Sequence, residues 1–238
     1  MAVTGFGIPA NSGSQANVAS FNISASLGSG HTCGLVFVAT HGAGDLITGV
    51  TWNGVTMTRL YKAEDTDTEP GAVVAYFLQG ITNGAVTVSR TNNAVVTVGY
   101  AIPISASGAC EAYQTITRVS STENINADTS ATGTGASGEV NVDDGSTGMD
   151  SLRFAVYYSG AATPPAAGPN SQSQSSLDST SFGSRLVSEG ALGQGSRPIG
   201  AATGTTDDWA MVAVVVRQIP PPATRVPYST PYPQLLAH

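Results

Sequence analysis

The chain has 238 residues, 41% hydrophobic and only 11% charged, with a formal net charge of −7 and a pI near 4.7. Charged residues are less than half the roughly 25% usual in soluble proteins, so the surface must be made polar by Ser, Thr, Asn, Gln and Gly. Acidity without a basic cluster argues against nucleic acid as a partner. The longest strongly apolar run, WAMVAVVV (209–216), falls far short of the roughly 20 residues of a membrane helix, so no membrane partner is expected either. The opening MAVTGFGIPANSGSQ has neither a basic start nor a continuous apolar stretch, which predicts synthesis in a cytoplasm without a cleaved signal.

In chain order the segments read as strands bounded by turn residues, and no stretch sustains helical spacing. FNISASL (21–27) alternates, with Phe21, Ile23, Ala25 and Leu27 on one face. GLVFVAT (34–40) is apolar on both faces, as a central strand is. GVTW (49–52) and VTMTRLY (55–61) flank Asn53-Gly54, the dipeptide favoured in type I′ hairpin turns because both positions need positive φ. AVVAYFL (72–78), AVTVSR (85–90), AVVTVGYAIPIS (94–105) and EAYQTITRV (111–119) continue the pattern. EVNV (139–142), SLRFAVYY (151–158), RLVSEG (185–190) and DDWAMVAVVVRQI (207–219) complete it.

About ten strands at this spacing predict an all-β fold of β-sandwich or jelly-roll type, in one domain spanning 1–219. Two polar, low-complexity stretches, 120–137 and 159–184, are expected as long loops, a length that usually marks function or mobility, with a weak edge hairpin as the alternative for 120–137. No exact internal repeat is evident. Residues 220–238 (PPPATRVPYSTPYPQLLAH) carry six prolines and no alternation. Proline fixes φ and removes a donor, which predicts an extended, polyproline-like C-terminal arm. Tyr228, Tyr232, Leu235 and Leu236 on that arm are candidate partner-contact residues, because a stiff segment docks at a smaller entropic cost.

Chemical motifs are few. His31, Cys33 and His41 lie close in sequence, with Cys110 distant, but their spacing fits no zinc motif and a strand separates the pairs. Two cysteines permit one disulfide; in a reducing compartment buried thiols are the expectation. Asp65, Asp67 and Glu69 alternate as calcium ligands do, yet an EF-hand needs Gly and Glu where Pro70 and Tyr76 stand, so an acidic hairpin loop is expected, with a calcium loop of another type as the alternative. No G-x-S-x-G elbow occurs, GSGHTCG lacks the lysine of a phosphate loop, and no carboxylate pair stands out for glycoside cleavage. Trp52 and Trp209 with the tyrosines are the candidates for a sugar platform, with core packing as the alternative. No catalytic residue, metal ligand or cofactor is therefore expected.

The run ITGVTWNGVTMTRL, then GAVVAYFLQGITNGAVTVSRT, then the closing WAMVAVVVRQI, resembles β-sandwich virion proteins of tailed bacteriophages, the capsid decoration and minor tail proteins, over residues 20–219. The resemblance implies a non-enzymatic, multicopy structural protein on the virion surface. It also implies a homo-oligomer whose partners are other copies of itself and major capsid or tail proteins. A receptor- or glycan-binding module, and then a glycan hydrolase, are the rival expectations.

Overall fold

A computed structural model describes residues 3–42, 46–65, 70–91, 96–120, 140–145, 150–160, 164–168, 170–178, 182–189, 192, 194–202 and 209–219. These residues form nineteen strands and no helix. The first ten are β1 Val3–Phe6, β2 Ala10–Asn11, β3 Ser20–Ile23, β4 His31–His41, β5 Ile47–Trp52, β6 Val55–Thr56, β7 Thr58–Asp65, β8 Gly71–Gln79, β9 Val86–Arg90 and β10 Val96–Ala106. The remaining nine are β11 Cys110–Ser120, β12 Val140–Val142, β13 Ser151–Ser159, β14 Ala166–Ala167, β15 Ser171–Asp178, β16 Gly183–Glu189, β17 Arg197–Ile199, β18 Ala201–Ala202 and β19 Trp209–Gln218.

The all-β class is as expected, but the strands make more layers than a two-sheet sandwich. One sheet runs β1-β10-β4-β8-β7, with β2 also paired to β10; a second runs β11-β19-β13-β16-β15; a third runs β3-β9-β5-β6. Two short ribbons, β12-β17 and β14-β18, complete the set, and all neighbouring strands are antiparallel. The sheet containing β4 lies in the middle of the stack, so both of its faces are apolar. Leu35, Phe37 and Ala39 pack with Phe154, Val156, Tyr158, Val212 and Val214 of the second sheet. Val36 and Val38, on the other face, pack with Phe21, Ile23, Val50, Trp52, Val86 and Val88 of the third. The outer face of the second sheet carries a smaller core, where Ala155, Tyr157, Met211 and Val215 meet Val142 and Ile199 of a ribbon. GLVFVAT reads as apolar throughout because period-two alternation vanishes when both faces are covered.

Close approach between layers depends on residues without side chains. A Cβ at Gly34 would stand 2.6 Å from the Trp52 ring, and one at Gly99 would stand 2.5 Å from Ile23 Cδ1. The Asn53-Gly54 turn between β5 and β6 has φ of 47° and 79°, both positive as a type I′ turn requires.

The structure corrects three local expectations. The stretch 159–184 is not one loop: Ser171–Asp178 forms β15, the edge strand hydrogen-bonded to β16. Its sequence SQSQSSLD has almost no apolar content, but an edge strand can be held by main-chain bonds to a buried neighbour. The chain also starts strands earlier than expected, at β1 and β2. Third, Cys33 and Cys110 are joined in a disulfide rather than held as thiols. They open β4 and β11 on facing sheets with Cα atoms 6.5 Å apart, within bridging distance, so geometry overrides the compartment argument. Residues 121–139 and the arm 220–238 lie outside the described residues.

Candidate functional site

The sequence-selected residues are dispersed. The arm residues Tyr228, Tyr232, Leu235 and Leu236 lie outside the described residues, as do Asp67 and Glu69. His31 and His41 cap opposite ends of β4, about 33 Å apart at the usual strand rise, too far to share an ion. His31 Nδ1 accepts a hydrogen bond from Gly28 N at 2.8 Å, and its ring fills the space over Gly7. His41 Nδ1 shares a 2.9 Å hydrogen bond with the Tyr158 hydroxyl, which also donates to Pro70 O at 3.2 Å. The His41 ring stacks on Tyr158 and Phe182. Among the described residues no group of three or more His, Cys, Asp and Glu converges on a point.

The tryptophans do not make a platform. Trp52 is buried between the central and third sheets, with its Nε1 donating to Thr82 O at 3.1 Å. Trp209 lies on the far side of the stack against Tyr157, ring centroids 5.8 Å apart. Among the described residues the exposed aromatics are instead Tyr61, 53% exposed on β7, and Tyr113, 43% exposed on β11. Both strands are sheet edges, they lie against one another, and each is bulged beside or at its tyrosine: the register skips Leu60, next to Tyr61, and Tyr113 itself. Bulges bend an edge away from uncontrolled pairing. The Arg217 guanidinium covers the Tyr113 ring at 3.3 Å while its Nε donates to Glu111 Oε1 at 2.9 Å.

The most elaborate polar constellation escaped the sequence reading. Arg153 on β13 is fully buried and donates through Nε to Val142 O (2.9 Å), through Nη1 to Glu189 Oε2 (2.6 Å) and through Nη2 to Gly195 O. Asp144 Oδ2 stands 3.8 Å from Nη2 and accepts from Ser151 Oγ at 3.0 Å, while Asp144 Oδ1 accepts from Gly195 N at 2.9 Å. Arg197 of β17 closes the far side, donating to Glu189 Oε1 at 2.7 Å. The signal was a single Arg inside the otherwise apolar SLRFAVYY. Each buried charge here, Arg153, Asp144 and Glu189, has more than one partner, as burial of ions demands, and the cluster fastens the β12-β17 ribbon to the second sheet.

A second buried cation, Arg90 on β9, sits between the central and third sheets. Its Nε donates to Val18 O at 2.7 Å, Nη1 donates to Thr97 Oγ1, and its carbon Cζ lies 5.6 Å from the Phe21 ring centre. Burial lowers its pKa from the usual arginine value. Among the described residues its Nη2 finds no partner, nor does Thr40 Oγ1, on the residue paired with Thr97 across β4 and β10.

No protein-family model matches the chain, and neither a curated protein nor a solved structure does. The described histidines, cysteines and tryptophans are thus engaged in packing, stacking and cross-linking. Among the described residues, two exposed tyrosines share the neighbouring edges β7 and β11.

Proposed function

We propose that the chain is a non-enzymatic structural protein of a bacteriophage particle, a capsid decoration (cement) protein that contacts neighbouring subunits through its C-terminal arm, residues 220–238. The chief support is the engagement of the residues with chemical potential: Cys33 is tied to Cys110, His41 to Tyr158, and Trp52 is sealed into a core. Such a stack, packed through buried apolar layers, is suited to being contacted. The arm would add the adhesive part, since each Tyr or Leu buried on a neighbour contributes about 2 kcal/mol, multiplied by avidity over many copies. Its place would be the virion surface, with other copies and a major capsid or tail protein as partners.

The test is incorporation. A chain ending at residue 219 is expected to fold with unchanged circular dichroism but to be depleted at least tenfold in purified particles, measured by gel stoichiometry. Replacing Tyr228, Tyr232, Leu235 and Leu236 together by Ser should do the same. Undiminished incorporation of both would remove the arm from the account.

The exposed Tyr61 and Tyr113 favour one second reading, a glycan- or receptor-binding module on the virion. Binding on a glycan array that falls tenfold in Tyr61→Ala and Tyr113→Ala would establish it; an array without signal would dismiss it.

A further inference from the structure

The described chain crosses once between two sets of sheets. Residues 3–106 build β1-β10-β4-β8-β7 and its cover β3-β9-β5-β6; residues 110–219 build β11-β19-β13-β16-β15 and its covers β12-β17 and β14-β18. Among the described residues no hydrogen-bonded strand pair joins the two sets.

Their internal orders are the same. In each main sheet the first strand of the set lies at the edge (β1, β11), with the last strand beside it (β10, β19). Then comes the long strand following the first cover strand (β4, β13), and finally a hairpin-like pair with its earlier member at the far edge (β8-β7, β16-β15). The covers agree as well. In the first set β9 lies between β3 and β5; in the second, β17 and β18, separated by Gly200 alone, pair with β12 and β14. Each of these strands comes from the corresponding interval of the chain.

Over most of the interface the faces meet in reversed order, the exception being β1, which lies against β13 and β19. β7 lies against β11, β8 against β19 and β4 against β13. On the other side Tyr100 of β10 bonds Ser184 of β16 at 2.6 Å, and Asn11 of β2 bonds Ser175 of β15 at 2.8 Å. Equivalent sheets stacked with their strand orders reversed are what a twofold axis lying between the sheets, along the middle strands, generates. We infer that the chain is a tandem duplication of one folding unit, whose main-sheet face binds a second copy of the same unit about a local twofold axis that runs between β4 and β13. It is a dimer written in one chain, joined by residues 107–109 and pinned by Cys33–Cys110. The halves differ in their outer cores: the first packs around Trp52 and holds Arg90, the second holds the Arg153–Glu189 cluster.

The test uses the whole chain with a protease site inserted between Gly108 and Ala109. After cleavage and reduction, the nicked protein is expected to elute at the intact size with intact circular dichroism. Its fragments, separated in urea and mixed on dilution, are expected to recover that signal in a 1:1 complex. Loss of the signal on reduction, or fragments that never recombine, would overturn the inference. Native-state hydrogen exchange on the unaltered chain provides a second measurement that no insertion can spoil. Amides of 3–106 and of 110–219 should open as two blocks with separate denaturant dependence. A single block, or one mixing strands of both sets, would count against two units.

Discussion

At the scale of single residues, stability depends on places where one layer touches another. Gly71 opens β8 directly beneath Tyr158 of the second sheet, and a Cβ there would lie 2.1 Å from the ring. Gly71→Ala should therefore cost about 1–3 kcal/mol in urea unfolding through overpacking. The cost should shrink when Tyr158 is also shortened to Ala, because the two changes share one contact. Tyr100 provides a pH signature. Burial raises its phenolic pKa well above the ordinary value, only partly opposed by the Ser184 hydrogen bond and the charge of Arg185. A folded-state pKa above the unfolded one means stability is intact below the unfolded value, about pH 10, and is lost as pH rises above it. Thermal unfolding across that range should show a steep alkaline decline that flattens in Tyr100→Phe. An unchanged decline would assign it to other groups.

At the scale of elements, the legible parts were those whose side chains pay for their own burial. GLVFVAT, AVVAYFL and WAMVAVVV appear as β4, β8 and β19 because two-sided apolarity belongs to covered strands. Asn53-Gly54 was legible because its φ demand is local. The edge strand β15 was not, since its hold on β16 is carried by the main chain, which sequence pattern does not encode. Nor was the disulfide, which depends on two strand starts meeting across a core. It closes a loop between residues 77 apart in sequence, so chain-entropy reasoning assigns it about 4 kcal/mol. Cys110→Ser should lower the unfolding free energy by that order, and reducing agent should act on the parent chain but not on the variant. If reduction leaves the parent's melting temperature unchanged, the link is absent in solution.

At the scale of the whole molecule, the duplication escaped the sequence because it resides in the order of hydrogen-bonded strands rather than in shared residues. The covers diverged most: β9 is a five-residue strand, whereas its counterparts β17 and β18 have three and two. Of the candidate site, the sequence reading located the aromatic and ionisable residues but not their company. Trp52 and His41 reveal their roles only when the sheets are stacked, and Arg153 only when Asp144 and Glu189 are brought beside it.

The proposed role joins a double unit to an adhesive terminal segment, and one image tests that combination most directly. Averaged electron cryomicroscopy of particles carrying the full chain is predicted to reveal a two-unit β body on the particle surface, with density from residue 219 running onto an adjacent subunit. In particles made with the truncated chain, both the strap and most of the body density should vanish. A fully occupied body in the truncated particles, or no such body on any particle, would contradict the account.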